Sequence, residues 1–514
     1  MKKIKFILYG LLPLLMGCNR DFDAPNPNSL TVEQFWQSQN DAVRGVNAVY
    51  SGLHRTPLYG RWMFYHTSLR SDEGFGSGGD IGLNNLMSFV QTDYNQNLTA
   101  GTWADSYVVI WRANQVLENV PGITMDETVK RRLLAEAKVL RALMYFNLVS
   151  LFNRPPLILR SVLTSDTPSN ATPEQIWAQI QTDLTEAAPD LPLRYSGDDL
   201  GRVTRGSAYG LLGKALMQQR KFQEAQTALA WFITGEGRDV YRLMPNYRDN
   251  FIITQENNTE SVFEIQFAQN NNETTDDDTQ EGAVINVGAS LPQFLAPRGV
   301  GFSDGAARRW MIGEMQKERT TTGARDPRVE ASFLYDSTDV RGPSQTLIYG
   351  QTFASRYGTG PDRNSVWFRK PLNDHWKNEE GFRSPNNYRL IRYADILLLY
   401  AECLNELGRT TEAYTYVDQI RQRVGLARLT TAQPGLSQAQ FRTQIKHERV
   451  TELSGEGQRW FDLQRWGELT EANLPALRAR DPEFGSFTLD KSAYYPIPQS
   501  DLDLNPSLSQ NQGY

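Results

Sequence analysis

Cysteine is nearly absent from this chain: among 514 residues only Cys18 and Cys403 occur. A disulfide framework is thereby excluded, as is a cysteine-rich zinc module. Histidine is almost as scarce, and His54, His66, His375 and His447 stand at separations that match no metal-binding motif, so neither a metal nor another cofactor is expected. Phosphate loops, dinucleotide fingerprints and nucleophile elbows are missing as well. Acidic residues outnumber basic ones, for a net charge of -6, which leaves no basic footprint for nucleic acid and no electrostatic grip on anionic lipid. No stretch sustains the roughly 18 consecutive apolar residues that a transmembrane helix requires. What remains is an acidic chain whose 40% hydrophobic and 11% aromatic residues can build a large core without cross-links.

The first residues have their own pattern. Lys2, Lys3 and Lys5 precede an apolar run from Phe6 to Met16 that ends in Gly17-Cys18. The run is too short to span a bilayer and reads as a secretory leader over residues 1–17. A small residue joined to cysteine resembles the lipobox of bacterial lipoproteins, which implies cleavage before Cys18 and lipidation of its thiol. Each buried CH₂ of an acyl chain contributes about 0.8 kcal/mol, so a multiply acylated Cys18 anchors stably. Residues 18–30, with Pro25 and Pro27, read as a tether, and 31–514 as the body. Cys403 is then left without a partner inside an apolar helix, as a small buried hydrophobe.

The expected fold class is mostly α. Leu133, Ala137, Leu140, Met144, Leu148 and Leu151 recur at steps of three and four and predict a helix over 131–152, stopped by Pro155-Pro156. Further helices are expected over 104–120, 173–188, 204–220, 388–407 and 411–424. Ala208, Gly210, Gly213 and Ala215, followed by Lys221-Phe222-Gln223-Glu224-Ala225, are similar to a tetratricopeptide hairpin, in which small residues let helices approach closely. Tetratricopeptide-like repeats of an α-α superhelix are therefore placed at about 104–235 and 388–470. Between about 236 and 387 the sequence turns to Gly, Asn, Asp and Thr, with one alternating run, Ser261 to Phe267, that predicts a strand. This loop-rich insertion is expected to form the ligand face.

Three motifs, in order and spacing, carry a family resemblance: Glu136 to Ala142 running into Phe146-Asn147-Leu148-Val149; Arg392 to Glu402; and Glu448-Arg449 with Glu452-Leu453 and Glu456 to Leu463. Trp111-Arg112-Ala113-Asn114 and Tyr494-Tyr495-Pro496-Ile497-Pro498 add to it. Nearly the whole chain resembles the SusD/RagB outer-membrane lipoproteins of Bacteroidetes nutrient uptake. The resemblance implies a lid-like protein over a SusC-like TonB-dependent transporter that captures glycan, or in some members peptide. A scaffold that only holds protein partners is a third reading, and a surface glycoside hydrolase a fourth.

Catalysis needs poised acids or nucleophiles, and the candidates are Glu448 with Glu452 one turn apart, and Arg392, Asp395 and Glu402 on one side of an apolar helix. A polar stripe on such a helix, with Arg421, Arg449 and Arg459 close in sequence, reads instead as a buried ion network that fixes helix packing, so no catalytic residue is assigned. A sugar site wants flat aromatic faces against the CH face of the ring, with carboxylates, amides and guanidinium groups on its hydroxyls. Two stretches outside the clear helical patterns have that mix. The first runs from Arg61 and Trp62 through Asp72, Glu73 and Phe75 to Asn84 and Asn85, with Trp103 beyond it. The second holds Arg298, Phe302 and Trp310, followed by Trp367 and Trp376. The candidate ligand-binding residues are Asp72, Glu73, Phe75, Asn85, Trp103, Arg298, Phe302 and Trp367. Trp62 is the one most expected in the core, and Phe75 and Phe302, lying among glycines, are the best candidates for exposure.

Overall fold

A computed structural model describes residues 32–161, 166–269, 288–336 and 347–514. The leader, Cys18, the tether and the Asp276-Asp277-Asp278 run lie outside these residues. Ten helices frame what is described: α1 Gln39–Leu53, α2 Asn97–Asn119, α3 Glu127–Phe152, α4 Pro173–Ala187, α5 Arg205–Gln218, α6 Phe222–Ile233, α7 Tyr393–Glu406, α8 Thr410–Arg423, α9 Gln438–Leu453 and α10 Arg459–Arg465. Six of the ten start at side chains that accept from free amides. Asp126 accepts from Val129 N at 2.9 Å, and Thr172 with Gln175, Thr204 with Ser207 and Ser437 with Gln440 form capping boxes. α3 ends at Asn153, whose φ of +63° turns the chain before the two prolines.

Successive helices pack in order, α2 on α3, α3 on α4, α4 on α5 and α5 on α6, after which α6 rests on α7 and α7 on α8 and α9. The α5–α6 hairpin shows why small residues are needed. A Cβ on Gly213 would lie 2.3 Å from Leu229 Cδ2 on the facing helix, so glycine sets how close the pair can come. The architecture is mostly α and tetratricopeptide-like, as the periodicity implied. One hydrophobic core runs from Ala42 to Ile497. Cys403 is fully buried in it, with Sγ 3.2 Å from Met217 Sδ. No helix among the described residues is long and apolar enough to cross a membrane.

Three local expectations need correction. α2 begins at Asn97, where the Gln96 side chain caps Thr99 N, so Trp103 sits inside a helix and not beyond a loop. Residues 388–392 are not the first turn of a helix: Tyr388–Arg392 is a strand antiparallel to Ser261–Ile265, with Ser261 opposite Arg392 and Ile265 opposite Tyr388. The open edge of Ser261–Ile265 offers a ladder that outweighs the local helical pattern. Finally, Trp62–Phe64 and Tyr65–Leu69, set outside the clear helical patterns, coil into consecutive helical turns, and Phe64, Tyr65 and Leu69 join the core together with Trp62, which was expected there.

Asp395 and Glu402 of α7 and Glu448, Arg449 and Glu452 of α9 are buried and paired. Glu452 accepts from Arg423 Nη2 at 2.5 Å, Arg392 Nη1 at 3.1 Å and Arg328 Nη1 at 3.3 Å. Arg392 also binds Glu456 and Glu260, while Lys370 binds Glu456 and Asp326 binds Arg328. Asp395 meets a second set, Arg449 at 2.7 Å and Lys214 at 2.8 Å, and Glu402 binds Arg465 at 2.6 Å and the Trp466 indole at 2.9 Å. The stripe thus ties α7 and the strand before it to α5, to α9, and to α10 with the residue that follows it. Glu448 accepts from Arg421 at 2.7 Å and is equally buried.

Candidate functional site

The two aromatic stretches meet in space. Gly74–Gly76 pairs antiparallel with Gly305–Ala307, Phe75 standing opposite Ala306, and Ser77 N donates to Asp304 O at 2.7 Å. Gly305 is required at this junction, since a Cβ there would fall 2.5 Å from Leu69 Cδ1. The pairing places the Gly74–Asn85 loop and helix beside the turn Pro297–Phe302.

That turn is built to present one ring. Val300 N and Gly301 N both donate to Pro297 O at 3.0 Å, and Gly299 adopts φ +82°. Behind it Ser303, itself at φ +54° and buried, accepts the Trp367 indole N–H at 3.0 Å. Phe302, held between these fixed points, is 50% exposed. Its ring lies 5.0 Å from Phe294 and 6.0 Å from Phe382, and the Arg61 guanidinium stacks 3.6 Å over Phe294. The result is an aromatic platform with a solvent-facing edge and a cation beneath.

The other candidates fall into three groups. Asn85 is exposed on the short helix Ile81–Met87, which Asp80 caps through Leu83 N at 3.0 Å. Arg298 is exposed, 3.5 Å from Asp362, and its carbonyl accepts from Tyr357 Oη at 3.0 Å. Phe75 is half-buried under the Arg308 guanidinium at 3.8 Å. Asp72, Glu73, Trp103 and Trp367 are buried. The Trp103 indole donates to Asp501 at 3.0 Å and packs on Phe152 in the core. Both Asp72 oxygens serve arginines, Arg459 at 2.6 and 2.8 Å and Arg480 at 3.1 Å. Trp367 acts from behind, as the brace of Ser303.

Phe294, Phe382 and Arg308 were not singled out by the sequence. Phe294 lies in Leu291-Pro292-Gln293-Phe294-Leu295 and reads as core, but Gly381-Phe382 has the same glycine-beside-phenylalanine signal as Gly301-Phe302 and could have been found by it.

Glu73 shows how dry the floor of this site is. Burial pushes its carboxyl up to about 8 from an ordinary 4.5, against the Ser68 hydroxyl, Arg459 and the Gly455 amide, with Asp72 adding to the rise. Between those two values the unfolded chain gives up a proton that the folded chain keeps, so stability falls as pH climbs from about 4.5 to 8. The slope from this group alone is about 1.4 kcal/mol per pH unit. Glu73→Gln is expected to match the parent protein in urea unfolding at pH 4.5 and to exceed it above pH 8. Parallel stability profiles across that window would show that Glu73 ionises inside the fold.

Comparison with known proteins places these features in a family. The SusD family model matches residues 259–514, and a second model, described as starch-binding associating with outer membrane, matches 75–217. SusD-like protein P25 of Formosa agariphila is 26% identical over the whole of both chains. The crystal structure of a SusD superfamily protein from Bacteroides vulgatus has the same fold, with a TM-score of 0.80 at 24% identity over 93% of this chain and 100% of its own. A laminarin binding SusD-like protein superposes with a TM-score of 0.72 at 27% identity, again over 93% of this chain and 100% of its own. The two models match in chain order, the second over the α2–α5 helices and the first over the strand pair Ser261–Ile265 and Tyr388–Arg392 and all that follows, and relatives align from end to end; this chain belongs to the SusD family.

Proposed function

We propose that this chain is a glycan-binding lipoprotein of the outer membrane, anchored through Cys18, that captures oligosaccharide or polysaccharide and hands it to a SusC-like TonB-dependent transporter. The observation that carries the reading is the exposed Phe302 ring, set in a three-phenylalanine platform and backed by Trp367 through Ser303. A flat ring of this kind covers the CH face of a sugar, while Arg298, exposed on the same turn, and Asn85, exposed on the helix Ile81–Met87 that follows the paired strand Gly74–Gly76, supply donors for hydroxyls. The 27% identical relative described as laminarin binding supports a glycan as the ligand class. Family membership supports the outer membrane as the location, since one matched model is described by association with it. The buried carboxylates Glu452, Asp395 and Glu402 are engaged by guanidinium or ammonium groups inside the protein, out of reach of a glycosidic bond, which supports capture rather than hydrolysis.

The test is calorimetric titration of the chain from Asn19 onward against soluble glycans, laminarin among them, and a peptide mixture. Saturable heat is expected with one glycan class, and Phe302→Ala is expected to weaken it about 5- to 150-fold, if the ring contributes about 1–3 kcal/mol as an aromatic side chain does under a nucleobase, with an unchanged unfolding midpoint. Binding to peptides alone would move the reading to a peptide importer of the RagB type. Silence toward both, with capture of a transporter only, would move it to a scaffold.

A further inference from the structure

A second group of chemistry-bearing side chains lies away from the aromatic platform. His447 and Glu448 stand on α9, and Glu318 lies just beyond the short helix Trp310–Met315 that packs against it. One ligand atom from each of the three comes within 4.8 Å of the others. His447 Nε2 is 3.5 Å from Glu318 Oε2. Two donors that each sit about 2.1 Å from one tetrahedral ion are about 3.4 Å apart.

The surroundings are those of a prepared site. His447 Nδ1 is 2.8 Å from Glu314 Oε1, which fixes the ring and turns Nε2 toward Glu318. A carboxylate behind a ligating imidazole is the usual outer support of a metal-bound histidine. Glu448 Oε1 is oriented by Arg421 at 2.7 Å and Gln444 at 2.8 Å. Its Oε2 is buried and has no hydrogen-bond partner among the described residues, a costly state for a carboxylate oxygen. Glu314, Glu318, Gln444 and His447 also line an open cavity, which gives an ion an entry path and water for its remaining positions. The two ligating carboxylates match a dication, and Arg421, paired to Glu318 at 2.8 and 3.0 Å and to Glu448 at 2.7 Å, orients both of them, while Glu314 is also held by Lys317 at 2.6 Å.

We propose that Glu318, His447 and Glu448 form a binding site for one divalent transition-metal ion of the zinc class. Imidazole with carboxylates favours such an ion over calcium or magnesium, which prefer oxygen alone. The site pins α9 to the segment after Trp310–Met315, and so joins the helical frame to the loop-rich region.

Equilibrium dialysis of the purified chain against zinc, with metal counted by atomic emission, tests this directly. One equivalent of zinc is expected, lost in His447→Gln and in Glu318→Gln, and weakened about 10- to 100-fold in Glu314→Gln, the positioning residue. The two ligand variants guard against a failure to fold in either. Calcium and magnesium at the same concentration are expected not to displace it. Zinc uptake that survives both ligand variants would place the ion elsewhere and overturn the assignment. No uptake at all would overturn it too, and would leave His447 as a cation bridging Glu314 and Glu318.

Discussion

Glu452→Ala is expected to lower the unfolding free energy by about 3–5 kcal/mol. The reason is charge balance in a closed space. Arg328, Arg392, Arg423 and Lys370 face Asp326, Glu260, Glu452 and Glu456 in one connected, buried set. Four cations meet four carboxylates, and removing Glu452 leaves one cation unanswered where water cannot reach it. Burial by itself would raise the Glu452 carboxyl, yet Arg423, Arg392 and Arg328 hold it below the usual carboxylate range, which shows the strength of their pull. Glu452→Gln keeps the volume and loses the charge, so it is expected to fall most of the way to the alanine variant. The comparison is Glu186→Ala, which breaks the exposed pair with Lys138 at 2.7 Å and should cost under about 1 kcal/mol. Urea unfolding followed by tryptophan fluorescence and circular dichroism separates them. A Glu452→Ala midpoint no lower than that of Glu186→Ala would mean that water enters the set and screens it.

These charges also show how far the sequence can be read. That Arg392, Asp395 and Glu402 on an apolar helix serve packing was legible from their spacing, because a polar stripe on a buried helix needs partners. Which partners was not. Arg392 reaches Glu260 and Glu452, and Asp395 reaches Lys214, across stretches of chain that no local pattern connects. The same divide holds for the fold. Helices α3, α4 and α5 announce themselves by apolar spacing and by Thr172 and Thr204 at their starts, since those signals act within a few residues. The strand Tyr388–Arg392 was hidden because its partner Ser261–Ile265 is remote and α7 follows with no break. At the proposed ligand face both contributing stretches were visible as aromatics among glycines. Their meeting through Phe75 and Ala306 was not, and the pairing decides which rings face solvent.

Asp72 separates the two roles that aromatic and acidic residues play around this face. The sequence set it beside Phe75 and Phe302 as a ligand-binding candidate, whereas the fold gives it to Arg459 and Arg480. Burial raises its carboxyl, but the two guanidinium groups outweigh burial and keep it ionised, below the usual carboxylate range. Arg459 is itself buried, between Trp310 at 5.6 Å and Trp466 at 5.7 Å. Asp72→Ala is therefore expected to cost about 3–5 kcal/mol by stranding Arg459. Asp72→Ala combined with Arg459→Met is expected to recover part of that loss, because an uncharged pair has no desolvation penalty to balance. Glycan affinity, measured by calorimetry under conditions where the variant stays folded, should remain within about twofold of the parent. Phe302→Ala should do the reverse, keeping stability and losing affinity. If Asp72→Ala instead kept its unfolding midpoint and lost glycan, the carboxylate would belong to the ligand and Arg459 would find its counter-charge in Asp462.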